Sequence, residues 1–576
     1  MSQRAFADRQ RSMLTQKYRV KMSNRSNCLC RANYALLVLV VRLVVACGSS
    51  NAPSNASSGG TVGVGGFSST GGADNGGAPA TTAAGGSQAQ ASGGNAATGG
   101  NNAATGGNNA ATGGNNAATG GNNAATGGSV PTAGAGSGID DGLMGFATKD
   151  PAGPPTGGSK VIGSNAVMTC TATSMKVLRD CLFRAKKSDK TNTDTRPNPP
   201  DWSAWEVHGG VTTGWKNYPL IIYIKGAIDG SQNDAGKPML MADYEAGDPL
   251  CATDTGASCQ QTLIQAKVER GNISIIGIPG DNSELPTLNG GWVMIRGQSN
   301  VIVRNLRIVN ATDYWPSLES CATGVTDQDY CAWNAEPDGL TLDNTSRAWI
   351  DHCEFTDGPD FNGTNPDKTK YKMYDGLLDI KNSADYITLS YNKFYNHNKA
   401  MLIGATDSIE TGYHITFVHN LVSFVQQRMP RVRNGQVHVL NNYYVGPQKT
   451  DYTQEYYFSY ALGLGFNSQI YSDHNSFDIS GATANSLLSV NFDAWSQYFT
   501  DVGSWLMGQA VDLNTAAASV VNARNTAQAG GAPFIGAVTW APSTYYSYSA
   551  DTTADSVKAR VQASAGIGKV TPDPSL

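Results

Sequence analysis

Between residues 301 and 477 one short pattern returns six times: apolar residues on alternate positions, then a polar slot, then another apolar residue. It reads Val301-Ile-Val-Arg-Asn305-Leu, Trp349-Ile-Asp-His-Cys353-Glu-Phe, Ile387-Thr-Leu-Ser-Tyr-Asn392-Lys-Phe, Ile415-Thr-Phe-Val-His-Asn420-Leu, Val437-His-Val-Leu-Asn-Asn442-Tyr and Ile470-Tyr-Ser-Asp-His-Asn475-Ser-Phe. The slot holds Asn five times and Cys353 once, at intervals of 48, 39, 28, 22 and 33 residues. Period-two alternation marks β-strands. An Asn that recurs after the same strand gives every strand the same place in a repeating unit. A coil with rungs of roughly 20 residues plus loops, stacked about 4.8 Å apart, meets that condition. Its Asn side chains would form a ladder, each amide bonded to the next rung. A meandering β-sandwich gives no reason for one slot to return. The fold expected is all-β, a right-handed parallel β-helix.

The pattern does not reach the N-terminal third. Residues 34–46 form an apolar run after several basic residues and end at Cys47. The run is too short to span a bilayer and has the form of an export signal. Val44-Val45-Ala46-Cys47 resembles a lipobox, which makes Cys47 the lipidation candidate, although Arg42 interrupts the run. Residues 48–158 are rich in Gly, Ala, Ser, Thr and Asn and contain four copies of Asn-Asn-Ala-Ala-Thr-Gly-Gly over 101–128. That composition buries too little apolar surface to order itself and reads as a tether. The expected division is therefore a signal segment at 1–47, a linker at 48–158 and a β-helix domain at 159–576. The formal net charge of −5 splits into +8, −3 and −10 over these parts. An acidic domain argues against nucleic acid as a partner. It does not exclude an anionic sugar, because bound cations and local basic residues override the net field.

Export permits disulfides. Outside the signal segment the cysteines form three close pairs, Cys170/Cys181, Cys251/Cys259 and Cys321/Cys331, with Cys353 left over as a buried thiol. No CxxC cluster suggests structural zinc. After residue 480 the strand pattern fades. A helical stretch at 511–529 and a Tyr-rich loop at 545–548 are expected to cover an end or flank of the coil, since an open sheet edge invites aggregation.

The chemistry concentrates between residues 338 and 433. Asp375-Gly-Leu-Leu-Asp379 places two carboxylates four apart, and Asp338 lies one to two rungs earlier. Three carboxylates suit a hard cation such as calcium, Ca2+. An isolated Asp-x3-Asp is more often a pair of solvated charges; Lys399 and Arg428-Met-Pro-Arg-Val-Arg433 downstream give it weight. Guanidinium and ammonium groups beside a bound cation suit an anionic, carboxylate-bearing substrate.

The order Trp349-Ile-Asp-His352, Asp375-Gly-Leu-Leu-Asp-Ile380, His397-Asn-Lys399, Arg428-Met-Pro-Arg-Val-Arg433 resembles that of pectate lyases of polysaccharide lyase family 1, over roughly 160–480. The resemblance implies calcium ligands at Asp338, Asp375 and Asp379, a catalytic base at Arg428, and substrate-carboxylate binding by Lys399 and Arg433. It adds Glu336 as a candidate for a second calcium. Asn396 and Asn398 stand where the family often has Asp. The implied reaction is calcium-dependent β-elimination of polygalacturonate, an acidic plant cell-wall polysaccharide, by a monomer that is secreted or held on the outer membrane as a lipoprotein. Three rivals remain: a pectin lyase, which would lack the acidic triad; a β-helical glycoside hydrolase, which needs paired carboxylates at set separations; and a non-catalytic β-helix adhesin.

Overall fold

The computed structural model describes residues 142–158, 167–184, 202–208, 218–320, 332–357, 373–448, 458–490, 497–527 and 536–570. These form a parallel β-helix of three sheets with 11, 10 and 8 strands. The chain visits them in rotation. Asp385–Ser390 lies in the first sheet, Lys393–Lys399 in the second and Leu402–Ile403 in the third, after which His414–Val418 starts the next rung. Strands one rung apart pair in parallel and in register. Ile387, Ile415, Val437 and Ile470 therefore form one fully buried row along the coil. Each residue of such a row removes a branched side chain from water, about 1.5–3 kcal/mol apiece. The helix Met175–Arg184 turns Met175, Leu178 and Cys181 into the core at one end. Cys170–Cys181 ties that helix to the strand Val167–Ala172, and Cys251–Cys259 closes a second local loop. At the other end the helix Leu513–Ala527, within the stretch expected to be helical, buries Leu513, Ala516 and Ala517.

The Asn ladder is present at the corner between the first and second sheets. The backbone amides of Cys353, Asn392, Asn420 and Asn442 donate to Oδ1 of Asn392, Asn420, Asn442 and Asn475 in turn, at 2.8–2.9 Å. Ser504 ends it, its Oγ accepting from the Asn475 amide at 3.2 Å. Cys353 carries no amide to extend the row, and it is a buried free thiol. The residue before each ladder position turns the corner with positive φ: His352, Tyr391, His419, Asn441 and His474. A left-handed backbone is uncommon outside glycine, though His and Asn adopt it more readily than most. Here the rings stack, His352 on Tyr391 at 4.9 Å and Tyr391 on His419 at 4.8 Å.

Burial, aided by the neighbouring Arg560 charge, holds His419 neutral with its pKa lowered to about 4. The unfolded chain takes up this proton near pH ~6.5. The folded value lies below the unfolded one, so the stability is full above pH ~6.5 and is lost as pH falls through the folded value near 4. The expected loss is on the order of 3 kcal/mol. Urea unfolding at pH 7, 5.5 and 4 should show this decline, and His419→Gln should flatten it. Equal slopes in the two proteins would refute the assignment.

The expected linker does not run to residue 158. Residues 142–158 lie along the outer face of the first sheet, with Phe146 and Ala147 fully buried. Outward Thr, Asn and Ser side chains on four rungs accept its backbone amides. Phe146 N donates to Thr416 Oγ1 at 2.9 Å, Ala147 N to Thr388 Oγ1 at 3.2 Å, Gly157 N to Asn300 Oδ1 at 2.8 Å and Gly158 N to Ser274 Oγ at 2.9 Å. A side chain at Gly158 would run into Leu220 O, 1.9 Å from an added Cβ. Window composition hides this strap, because one Phe and a few amides suffice to fix it. The Tyr-rich loop meets it: Tyr546 packs edge-on to Phe146 and bonds Thr416. A further helix, Ala554–Ser564, seats Val557 and Val561 against Tyr443. Cys47, the remainder of the linker, Cys321 and Cys331 lie outside the described residues.

Candidate active site

Each rung turns from the second sheet into the third at one corner, and the candidate residues collect there. Lys399 ends the strand Lys393–Lys399, and Gly376 bridges to it from the rung before. Gln427 ends Leu421–Gln427 one rung further and pairs with Lys399. Arg428 follows directly, its carbonyl accepting from Met401 N at 2.8 Å. Asp338 sits just before Leu340–Asp343, whose Thr341 is in register with Asp379. Stacking thus gathers positions 338, 375, 379, 399 and 428 at one corner of the coil.

Candidate ligand oxygens of Asp338, Asp375 and Asp379 lie within 4.8 Å of one another. Backbone and hydroxyl donors aim them. Gly376 N donates to Asp338 Oδ1 at 3.0 Å, Thr341 Oγ1 to Asp338 Oδ2 at 2.6 Å, and Leu402 N to Asp379 Oδ1 at 3.0 Å. Lys399 Nζ lies 2.9 Å from Asp375 Oδ1. Both ring nitrogens of the buried His397 face oxygens, Nδ1 those of Asp357 and Nε2 the Asp375 carbonyl at 2.7 Å. Burial, then the Asp379 charge, pushes the Asp338 carboxyl well above its usual range. Burial works the same way on Asp375, but Lys399 and Lys381, with help from Arg428, hold it below the usual range. Arg428 follows Gln427, the residue in register with Lys399, and so reaches the same corner.

Carboxylates this close resist ionising together unless cations join them. The donor set, three carboxylates with hard oxygens, fits calcium. So does the space kept at Gly376, where an added Cβ would stand 2.3 Å from Asp379 Oδ1 and 3.0 Å from Asp338 Oδ1. Gly376→Ala should therefore splay the carboxylates and weaken calcium binding at least tenfold while the coil, formed elsewhere, keeps its melting temperature within a few degrees. Calcium titration calorimetry and thermal unfolding check both parts; unchanged affinity would contradict the reading.

Arg433 has its ion-pair partner outside the triad. Ile380, Ile403 and Val432 form an inward row of the third sheet, so Arg433 follows on the outward side. Its Nε pairs with Asp407 Oδ1 at 2.5 Å. Arg431 is buried, and Gly463 leaves it room. Glu336 is exposed and accepts from Gln261 Nε2 at 2.6 Å. One residue of the cluster escaped sequence reasoning. Lys381 Nζ lies 3.0 Å from both Asp338 Oδ2 and Asp379 Oδ2. The signal existed: residues two apart on a strand share a face, so Asp379 and Lys381 had to point the same way.

Known proteins bear on this arrangement. A family model described as pectate lyase matches residues 209–570. The chain is 34% identical over 379 residues to a pectate lyase of Bacillus subtilis (strain 168), covering 61% of this chain and 82% of that one. It is 31% identical over 388 residues to pectate lyase D of Dickeya chrysanthemi, covering 64% and 89%. Among solved structures it is similar to a pectate lyase bound to a hexasaccharide, with a TM-score of 0.56, 29% identity, and coverage of 74% of this chain and 97% of that one.

Proposed function

Because the chain belongs to the pectate lyase family and is a polysaccharide lyase, we propose that it cleaves α-1,4-linked polygalacturonate by calcium-dependent β-elimination, releasing 4,5-unsaturated oligogalacturonides. The observation that carries this reading is the corner cluster: three carboxylates within 4.8 Å, with Lys399 and Arg428 on the following rungs. A glycoside hydrolase would need a protonated acid and a free carboxylate at a set separation. Here the carboxylates are tied to lysines and backbone amides. A pectin lyase acting on esterified polymer has no use for the acidic triad.

Calcium, when bound by Asp338, Asp375 and Asp379, supplies positive charge that acidifies the C5 proton of a neighbouring uronate. Lys399 and Arg433 bind the uronate carboxylates and face the charge that develops at C6. Arg428 accepts the C5 proton; its bonding pair becomes the C4=C5 double bond, the C4–O bond breaks, and the departing oxygen takes a proton from water. A free arginine has a pKa above ~12, so the base must act where neighbouring cations disfavour its charged form. Digestion in 18O-labelled water separates the chemistries: elimination leaves the new chain ends unlabelled, whereas labelled reducing ends would mean hydrolysis. The signal-like 1–47 and the low-complexity segment support export, with Cys47 acylated and the protein displayed at the outer membrane. Failure of labelled palmitate to enter the protein would remove the anchor.

A further inference from the structure

Lys381 is the one cluster cation to which the proposed reaction assigns no task. Its ammonium lies 3.0 Å from Oδ2 of both Asp338 and Asp379. The other oxygen of each carboxylate is already held, Oδ1 of Asp338 by Gly376 N and Oδ1 of Asp379 by Leu402 N. Lys381 holds Oδ2 of both, the Asp338 oxygen being shared with Thr341 Oγ1, which donates to it at 2.6 Å. Calcium binds oxygens at roughly 2.3–2.6 Å. An ion in contact with those same Oδ2 atoms would press directly against the ammonium, and two like charges so close inside a shielded site repel strongly.

From this geometry, and resting on the calcium reading above, we infer that Lys381 is a tethered stand-in for the metal. It bridges Asp338 and Asp379 while calcium is absent and is displaced toward solvent when calcium enters. The side chain suits both states. It is 22% exposed, so a way out of the cluster exists. Lysine is also a compact point charge on a flexible stem, and leaves more easily than the forked guanidinium of arginine. The benefit lies in the metal-free protein. The Asp338 side chain has no exposure and that of Asp379 only 3%, and buried carboxylates without a partner destabilise a fold. The cost falls on calcium affinity, because every ion that binds must first break two charged hydrogen bonds.

Calorimetric titration of calcium into the full-length protein, freed of metal by chelation, reads this without any measure of catalysis. Lys381→Met should bind calcium at least tenfold more tightly than the native protein, since the competitor is gone and one more negative charge remains. Its melting temperature should be below the native value in EDTA, and millimolar calcium should close that gap. Lys381→Gln, which keeps a donor but no charge, should follow Lys381→Met. Lys381→Arg keeps the charge and grips both carboxylates, so it should bind calcium at least threefold more weakly than the native protein. Equal or weaker binding by Lys381→Met and Lys381→Gln would overturn the inference while leaving the calcium reading intact: the lysine would then orient the ligands. A native protein that binds no calcium would end both.

Discussion

Replacing Arg428 by lysine should lower kcat on polygalacturonate about a thousandfold, within the range of roughly 10²–10⁴ that a general base contributes. The charge survives this change; what is lost is the guanidine nitrogen at the position from which it reaches the C5 proton. The backbone should hold, because the Arg428 carbonyl, which accepts from Met401 N at 2.8 Å, is kept by the substitution. Arg428 also sits at φ 63, in the left-handed region. Such a conformation costs on the order of 1 kcal/mol or more in a residue that is not glycine, and is found where a structure over-determines it. The proposed base is thus aimed by the coil, so moving the charge by a bond or two should cost catalysis and not folding. With Lys399 and Arg433 in their proposed role as carboxylate binders, KM should change little. Steady-state kinetics beside thermal unfolding distinguish the outcomes. A variant with near-native kcat sends the search for the base to Lys399 and the groove carboxylates.

Converting Asp379 to asparagine should be as damaging by a different route. Asp379 supplies one of three carboxylates within 4.8 Å, and its Oδ1 is fixed by Leu402 N at 3.0 Å. Asparagine preserves the shape and an acceptor oxygen but removes one negative charge. Calcium affinity should fall roughly a hundredfold, as a charged ligand becomes a neutral one. At micromolar calcium the activity should vanish, and at tens of millimolar much of it should return, because Arg428, Lys399 and Arg433 are untouched. Recovery at high calcium separates a binding defect from a chemical one. An Asp379→Asn protein with native activity at low calcium would remove this residue from the ligand set.

The coil was legible because its signal is local and repeated. An Asn that bonds the next rung must stand in the same place on every rung, so 392, 420, 442 and 475 announced themselves by pattern alone. The break at Cys353 was legible too, as an apolar side chain in the amide position. The site was only partly so. Its members come from rungs separated by long loops, and spacing along the chain does not say which of Asp338, Asp375 and Asp379 touch; the stacking at Gly376 and Lys399 decides that. Lys381 went unread although its alternation with Asp379 on Leu378–Lys381 was in plain view. The strap at 142–158 went unread because low-complexity composition averages away a single anchoring Phe146. The helix Ala554–Ser564 carries its own start signal, a Thr553 cap with Val557 and Val561 four apart, in a region where the strand pattern had ended.

The central claim is that the corner cluster is a calcium-dependent eliminating site, and absorbance near 235 nm on polygalacturonate measures it most directly, because the 4,5-unsaturated ends absorb there and hydrolysis products do not. The native protein should produce a steady rise in calcium, none after exhaustive chelation, and a full return when calcium is restored. A rise that persists unchanged in chelator, or cleavage of the polymer with no rise at all, would contradict it.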